Sequence, residues 1–185
     1  MATSPSKAQE GQHVERVDNY KYLGFHIDDQ LNWHHHMNVQ SKKLNQRLFF
    51  LRKLNSFGVD SCILKLFYTA IVQSIIVFGI NCWGTSITAS DKLKLQRTIG
   101  KAKRIVGTTL PSFDLLLDSL STSKALNILK DQSHPLHSEF IKSKISRHRL
   151  IMPKIRTERY RNSFIPSTSK RLSSSSTSSS LLATI

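Results

Sequence analysis

Histidines and carboxylates are the side chains whose types and spacing come nearest to a chemical site. His34, His35 and His36 are consecutive, and Asp28 and Asp29 precede them closely. Consecutive histidines near a helix start point in different directions, and no cysteine or carboxylate lies beside them at a metal-ligand spacing. The sequence therefore predicts a surface cluster of histidines with helix-capping aspartates. We expect neither a metal site nor a bound cofactor.

The other reactive side chains form no catalytic pattern. Cys62 and Cys82 lie in an apolar stretch without a neighbouring base, where a thiol behaves as a small hydrophobe. His134 and His137 flank Pro135, which indicates a turn. Phosphate-loop, nucleophile-elbow and zinc-protease signatures are missing. We predict no catalytic residue and no small-molecule substrate, and the cysteine usage favours a reduced protein of the nucleus or cytoplasm.

The charge of the chain suggests its partner. Lys and Arg number 27 against 12 Asp and Glu, which gives a formal charge of +15. Such an excess favours a polyanion, with RNA or DNA first and an anionic membrane second. The predicted nucleic-acid contacts are Lys42, Lys43, Arg47, Lys94, Arg97, Lys101, Arg104, Arg147, Arg149, Arg156, Arg159 and Arg161.

Two amphipathic helices are predicted to carry most of these cations. Residues 33 to 57 have apolar side chains at helical intervals, and Gly58 is placed to end that helix. A helix from about 90 to 106, capped by Thr88 or Ser90, carries four cations at spacings of three, four and three. Such a stripe fits a phosphate backbone, because like charges this close repel each other unless an anion neutralises them.

The segment between these helices, from about 60 to 83, has no charge after Lys65. It is long enough to cross a bilayer. Gln73, Asn81 and several small polar residues lower its hydrophobicity, so we favour a buried central helix over a membrane span. A membrane is not the favoured partner.

The two ends of the chain differ in composition from its centre. We expect a disordered leader over residues 1 to 13 and a helical domain over 14 to 150, in which one or two short helices and a final piece from about 136 to 146 follow the basic stripe. Residues 151 to 185 are expected to form an extended basic arm and a disordered Ser-rich tail. The predicted fold class is mainly α, a short N-terminal β element followed by a helical bundle.

The β element is predicted from Tyr20 to Asp28, where aromatic and β-branched residues surround Gly24. This stretch, and the sequence after it, resembles the region behind the catalytic palm of reverse transcriptases from non-LTR (LINE-type) retrotransposons. The matching motifs are Tyr22-Leu23-Gly24-Phe25-His26-Ile27-Asp28, Lys42-Lys43, Leu51-Arg52-Lys53-Leu54, Phe67-Tyr68, Asn81-Cys82-Trp83-Gly84, Ser133-His134-Pro135-Leu136-His137 and Ser163-Phe164-Ile165-Pro166.

The resemblance covers about residues 13 to 166. It implies that Tyr22, Leu23 and Gly24 correspond to a primer-grip element and that the following helices form a thumb. It also implies that the catalytic carboxylates of the palm would lie before Met1. We therefore expect a nucleic-acid-holding remnant without polymerase chemistry, and a reverse-transcriptase palm domain in trans is a second expected partner after RNA or DNA.

Residues 14 to 55 also resemble the N-terminal domain of the AlkB homologue 8 tRNA-modifying protein. That family's oxygenase uses a His-x-Asp motif and a distal histidine for iron with 2-oxoglutarate, and His26-Ile27-Asp28 reads His-x-Asp. No jelly-roll strand pattern follows it. The alternatives to the retrotransposon remnant are thus a protein associated with tRNA or nucleic-acid modification, an inert fragment, and a membrane-associated protein.

Overall fold

The computed structural model describes residues 17–142, 145–146, 149–150 and 154–174. The chain is mainly α-helical with a short β-hairpin ahead of the helices, as predicted. Strands β1 (Asn19–Tyr22) and β2 (Phe25–Asp28) pair antiparallel. Leu23 and Gly24 form the turn between them with φ of 46° and 88°. Positive φ at both central positions is the type I′ geometry that suits the twist of a hairpin.

Helix α1 (His34–Ser56) follows the hairpin, close to its predicted bounds. The backbone N–H of His34 donates to Asn32 Oδ1 at 3.1 Å, which satisfies one of the first amides of the helix. Beyond the last turn, Gly58 adopts a φ of 72°. The predicted apolar stripe is confirmed, since Met37, Leu44, Leu48 and Leu51 are at most 1% exposed.

The segment after α1 is not the single helix that we predicted. It consists of α2 (Ser61–Phe67), a π-helical segment (Tyr68–Gln73), α3 (Ser74–Val77) and α4 (Ile80–Trp83). The break falls at Phe78 and Gly79, where Gly79 has a φ of 58°. A Cβ at this glycine would overlap the ring of Phe25 from the hairpin. The chain turns here so that the hairpin can pack against it.

The buried side of this segment consists of residues spaced four apart: Leu64, Tyr68, Val72, Ile76 and Ile80. In an α-helix of 3.6 residues per turn, each step of four rotates a side chain by about 40° away from the starting face. The i→i+5 bonding of a π turn takes up an extra residue and corrects the drift. Ile63 and Phe78, on other sides of the segment, are exposed. Cys62 and Cys82 are exposed free thiols.

Helix α5 (Ala89–Val106) begins and ends as predicted. Thr88 Oγ1 accepts the backbone N–H of Asp91 at 3.1 Å, and Gly107 ends the helix with a φ of 73°. Helix α6 (Phe113–Lys130) is one continuous helix, capped by Ser112. The main core lies where α1, the α2–α4 segment, α5 and the first half of α6 meet.

The C-terminal part of the chain is more ordered than we predicted. Helix α7 (His137–Lys142) is shorter than expected, and strands β3 (Ile145–Ser146) and β4 (Arg149–Leu150) follow it. Helices α8 (Glu158–Arg161) and α9 (Phe164–Ser174) replace the expected extended arm.

Helix α9 also contradicts the expectation of a disordered tail from residue 167 to residue 174. It packs on α6 and α7 in a second apolar cluster, where Ala125, Phe140 and Leu172 are buried. Pro166 lies in the first turn of α9, where a missing N–H costs no intrahelical bond. The predicted leader and residues 175–185 lie outside the described part of the chain.

Candidate nucleic-acid interface

The outer side of α5 carries a row of three exposed cations, Arg97, Lys101 and Arg104. We call these three residues the α5 row. The opposite side of the helix, with Leu95 and Ile99, is buried in the main core. No member of the row forms an ion pair with an acidic side chain in the described part of the chain. Packing thus fixes the helix and leaves the positive charges to solvent.

Lys94, the fourth predicted member of this stripe, has a different role. Its Nζ lies 2.8 Å from Oδ1 of Asp91, a carboxylate that is only 1% exposed. Asp91 also accepts the Thr88 hydroxyl at 2.9 Å and contacts His34 Nδ1 at 3.3 Å. Burial opposes ionisation of this carboxyl, but the hydrogen bonds that it receives hold its pKa below the usual value. Lys94 therefore neutralises a buried charge where α1 meets α5.

The predicted contacts on α1, Lys42, Lys43 and Arg47, are all exposed. Burial lowers the pKa of His26, and Lys43 on α1 is close enough to the hairpin to add a smaller contribution. Arg47 lines a groove between α1 and the α2–α3 segment. Helix α1 thus carries a second set of cations, near the hairpin and this groove.

Two of the predicted nucleic-acid contacts in the basic arm, Arg159 and Arg161, bind other groups of the protein. Arg159 Nη2 donates to the carbonyl oxygen of Gln30 at 2.8 Å, which ties α8 to the turn after the hairpin. Arg161 lies 2.9 Å from Glu158, and Arg156 is exposed. Arg149 lies in β4, and Arg147 lies outside the described residues.

The three residues compared with a primer grip form the tip of the hairpin. Tyr22 is 56% exposed and Leu23 is 74% exposed, and Gly24 completes the turn. Directly after the turn, the ring of Phe25 stacks on that of Phe78 with a centroid distance of 5.0 Å. The hairpin is therefore packed on its β2 side, while Tyr22 and Leu23 are exposed to solvent.

The histidines do not form the surface cluster that we predicted. His34 and His35 are exposed, but His36 is fully buried. Burial, with a smaller contribution from His26, lowers the pKa of His36 to about 4. Its ring is neutral at pH 7, and it contacts the rings of Phe25 and Trp83. The position of His36, one residue before Met37 at the start of the buried stripe, is a weak signal of this burial.

The His-x-Asp sequence has a structural role in the hairpin. Asp28 Oδ1 accepts the backbone N–H of Asn32 at 2.8 Å, and the backbone N–H of His26 donates to His36. Within the described residues, no group of three or more His, Cys, Asp or Glu side chains is arranged to hold a metal ion.

An acidic hollow of about 560 Å³ lies between the hairpin and the start of α5. Its lining includes the carboxylates of Asp18, Asp28, Asp29 and Asp91. A phosphate group would be repelled at this end of α5. The cations that remain free lie further along the helix, from Arg97 onward.

Comparison with known proteins gives one match. The model of the family described as alkylated DNA repair protein alkB homolog 8, N-terminal, matches residues 33–74, less than a quarter of the chain. The matched stretch contains α1, α2 and the π-helical segment and excludes the hairpin, so it lies further along the chain than the resemblance that we described. No curated protein and no solved structure matches. The comparison supports the AlkB homologue 8 resemblance and adds no support for the reverse transcriptase.

Proposed function

We propose that the chain is a non-catalytic module that binds RNA or DNA through phosphate contacts. The observation that carries the proposal is the α5 row, three exposed cations on a rigid helix without acidic partners among the described residues. Seven residues of α-helix span about 10 Å, a distance that corresponds to about three nucleotides along one strand of a duplex. The row thus has about one cation for each phosphate that it passes.

The family match bears on the cellular process in which this module takes part. The matched family is named after a protein of alkylated-DNA repair, and we infer that the chain is an AlkB homologue 8 N-terminal-like domain associated with nucleic-acid modification. The second candidate is a retrotransposon reverse-transcriptase remnant, which is favoured by the exposed hairpin tip at Tyr22 and Leu23. Both candidates need a surface that holds nucleic acid, and neither assigns a catalytic group to this chain.

The test is the salt dependence of binding to a labelled single-stranded RNA and its DNA counterpart, measured by fluorescence anisotropy. Changing Arg97, Lys101 and Arg104 together to Ala removes three phosphate contacts. The slope of log K against log salt should then decrease by about 2, since each contact with a single strand contributes about 0.7. An unchanged slope would contradict the assignment of the α5 row.

A matched control keeps the change in net charge the same. Lys124, Lys130 and Lys154 are exposed and lie away from α5. The triple change of these lysines to Ala should leave most of the salt slope in place. An equal loss in both variants would show that binding follows net charge alone and would overturn the site. Iron-dependent consumption of 2-oxoglutarate by the purified chain would overturn its non-catalytic role.

A further inference from the structure

The turn between α1 and α2 presents large apolar side chains to solvent. Phe57 is 77% exposed, Leu66 is 68% exposed and Ile63 is 57% exposed. Phe50 and Ile71, at 48% and 39%, extend this surface along the two helices. Exposed apolar side chains that lie side by side mark a contact with a protein or a membrane more often than isolated ones do.

A groove of about 660 Å³ lies beside this turn, between α1 and the α2–α3 segment. Most of its lining is apolar, and Arg47 and Lys53 lie at its edges. The lining residues are Arg47, Phe50, Lys53, Leu54, Phe57, Phe67, Ile71, Ser74 and Ile75. Phe57 belongs to both the groove and the exposed apolar set, and Ile63 lies one helical turn before the groove residue Phe67 on α2. We call the groove together with Phe57, Ile63 and Leu66 the turn surface.

Positive charge surrounds the turn surface. The cations in the second half of α1 and in α2 are Arg47, Arg52, Lys53 and Lys65. The one acidic residue in this part of the chain is Asp60, whose Oδ1 accepts the backbone N–H of Cys62 at 2.7 Å as the cap of α2. An occupant must offer apolar material and negative charge together. A second copy of this chain does not, because each copy carries a formal charge of +15.

The hydropathy of the segment is high enough for contact with lipid. Ser61–Trp83 is long and apolar enough to cross a membrane, with a mean hydropathy of 2.0, and only 28% of its most apolar window is buried. One of its sides is nevertheless committed to the core, because Leu64, Tyr68 and Val72 are at most 2% exposed. Crossing a bilayer would remove that side from α1. The free side is suited to lying on a membrane.

We propose that the turn surface binds the surface of an anionic lipid bilayer. Phe57, Ile63 and Leu66 enter the boundary between headgroups and acyl chains, and Lys53 and Lys65 contact the anionic headgroups. An acidic helix lying in the groove is the competing occupant. The exposed fractions favour the bilayer, because they are higher at Phe57, Leu66 and Ile63 than at the groove residues Phe50 and Ile71. The site is separate from the α5 row and does not depend on it.

Sedimentation of the full chain with large unilamellar vesicles tests the proposal. Vesicles of phosphatidylcholine with about 30 mol % phosphatidylserine are compared with vesicles of phosphatidylcholine alone. We expect binding to the anionic vesicles and at least tenfold weaker binding to the neutral ones. Changing Phe57 and Leu66 together to Ser should weaken binding to anionic vesicles at least tenfold. Circular dichroism should show unchanged helicity, because both side chains are exposed.

The control replaces Leu115 and Leu120, exposed leucines on α6, with Ser. This variant should bind the anionic vesicles as the unchanged chain does. The proposal is overturned if the anionic vesicles fail to sediment the chain, or if the Phe57 and Leu66 variant binds as strongly as the control, which would show attraction by net charge alone. It is also overturned if a designed acidic amphipathic helix binds this surface and the vesicles do not, since the occupant would then be a protein.

Discussion

Nδ1 of His36 accepts the backbone N–H of His26 at 3.4 Å, a hydrogen bond that joins α1 to the hairpin. An imidazole nitrogen that accepts carries no hydrogen, so the neutral ring bears its hydrogen on Nε2. Gln40 Nε2 lies 3.3 Å from Nε2 of His36, and turning the Gln40 amide over places its side-chain oxygen there to accept this hydrogen. Protonating the buried ring at Nδ1 would break the bond to His26 and leave a charge among aromatic rings.

Stability should therefore decrease as the pH falls from about 6.5 to about 4. In the unfolded chain the pKa of His36 is near its ordinary value of 6.5, whereas in the folded chain its pKa is about 4. The unfolded state binds more protons than the folded state between these two pH values. The full stabilisation is therefore present above about pH 6.5, and about 3 kcal/mol of it is lost as the pH falls to about 4. Urea unfolding at several pH values measures the loss.

The variant His36→Gln isolates this effect, and His35→Gln is the control because His35 is exposed. The first variant should remove most of the pH dependence in that window, and the second should retain it. Asp91 does not interfere, since its pKa is lowered from 3.8 and its stabilisation is lost only at more acidic pH. Equal pH dependence in the two variants would show that His36 is not the responsible group.

Gly79 should be the glycine that is least tolerant of substitution by alanine. Its φ is 58°, and a Cβ would meet the ring of Phe25. Left-handed backbone and overpacking together should make Gly79→Ala destabilising by about 2–4 kcal/mol. Gly100 in α5 has open space around its Cα, so Gly100→Ala should stabilise the fold by about 0.5–1 kcal/mol. Equal effects in chemical denaturation would contradict the packing of the hairpin on α3 and α4.

Local signals in the sequence predicted α1 and α5 well. The stripe from Met37 to Leu51 has one apolar side, and Thr88 and Gly107 are strong cap residues, so few alternatives compete with the observed helices. Lys94 could also have been assigned from the sequence, because Asp91 precedes it by three residues on the same helix. The sequence did not indicate that Asp91 is buried.

The α2–α4 segment could not be predicted in the same way. It is apolar on every side, so its periodicity does not say which side is buried, and the π turn depends on packing against α1. Helix α9 was missed for the opposite reason. Five of its 11 residues are Ser or Thr, and a few apolar residues such as Leu172 fix it through contacts with α6 and α7. Tertiary contacts decide the structure of both segments.

Tyr68→Phe should stabilise the protein by about 1 kcal/mol. Tyr68 is fully buried at the start of the π segment, and its hydroxyl has no hydrogen-bond partner among the described residues. Removing a buried, unsatisfied hydroxyl avoids its desolvation penalty. Burial also raises the pKa of Tyr68 to about 12 from 10.0, so the unchanged protein loses stability across that range as the pH rises and the variant does not. Tyr160→Phe, at an exposed site, is the control, and equal thermal shifts in the two variants would contradict this assignment.

Leu23→Asn tests whether the hairpin tip retains backbone strain for binding. Leu23 has a φ of 46° and is 74% exposed, whereas Asn-Gly is the preferred sequence for a type I′ turn. Relief of the strain should stabilise the protein by about 1 kcal/mol in thermal unfolding. If the tip contacts nucleic acid, the same change should weaken RNA binding severalfold while the salt slope stays constant. The change removes an apolar contact and leaves the phosphate contacts in place. Stabilisation with unchanged affinity would show that Leu23 serves only the turn, and the comparison of this tip with a primer grip would then be wrong.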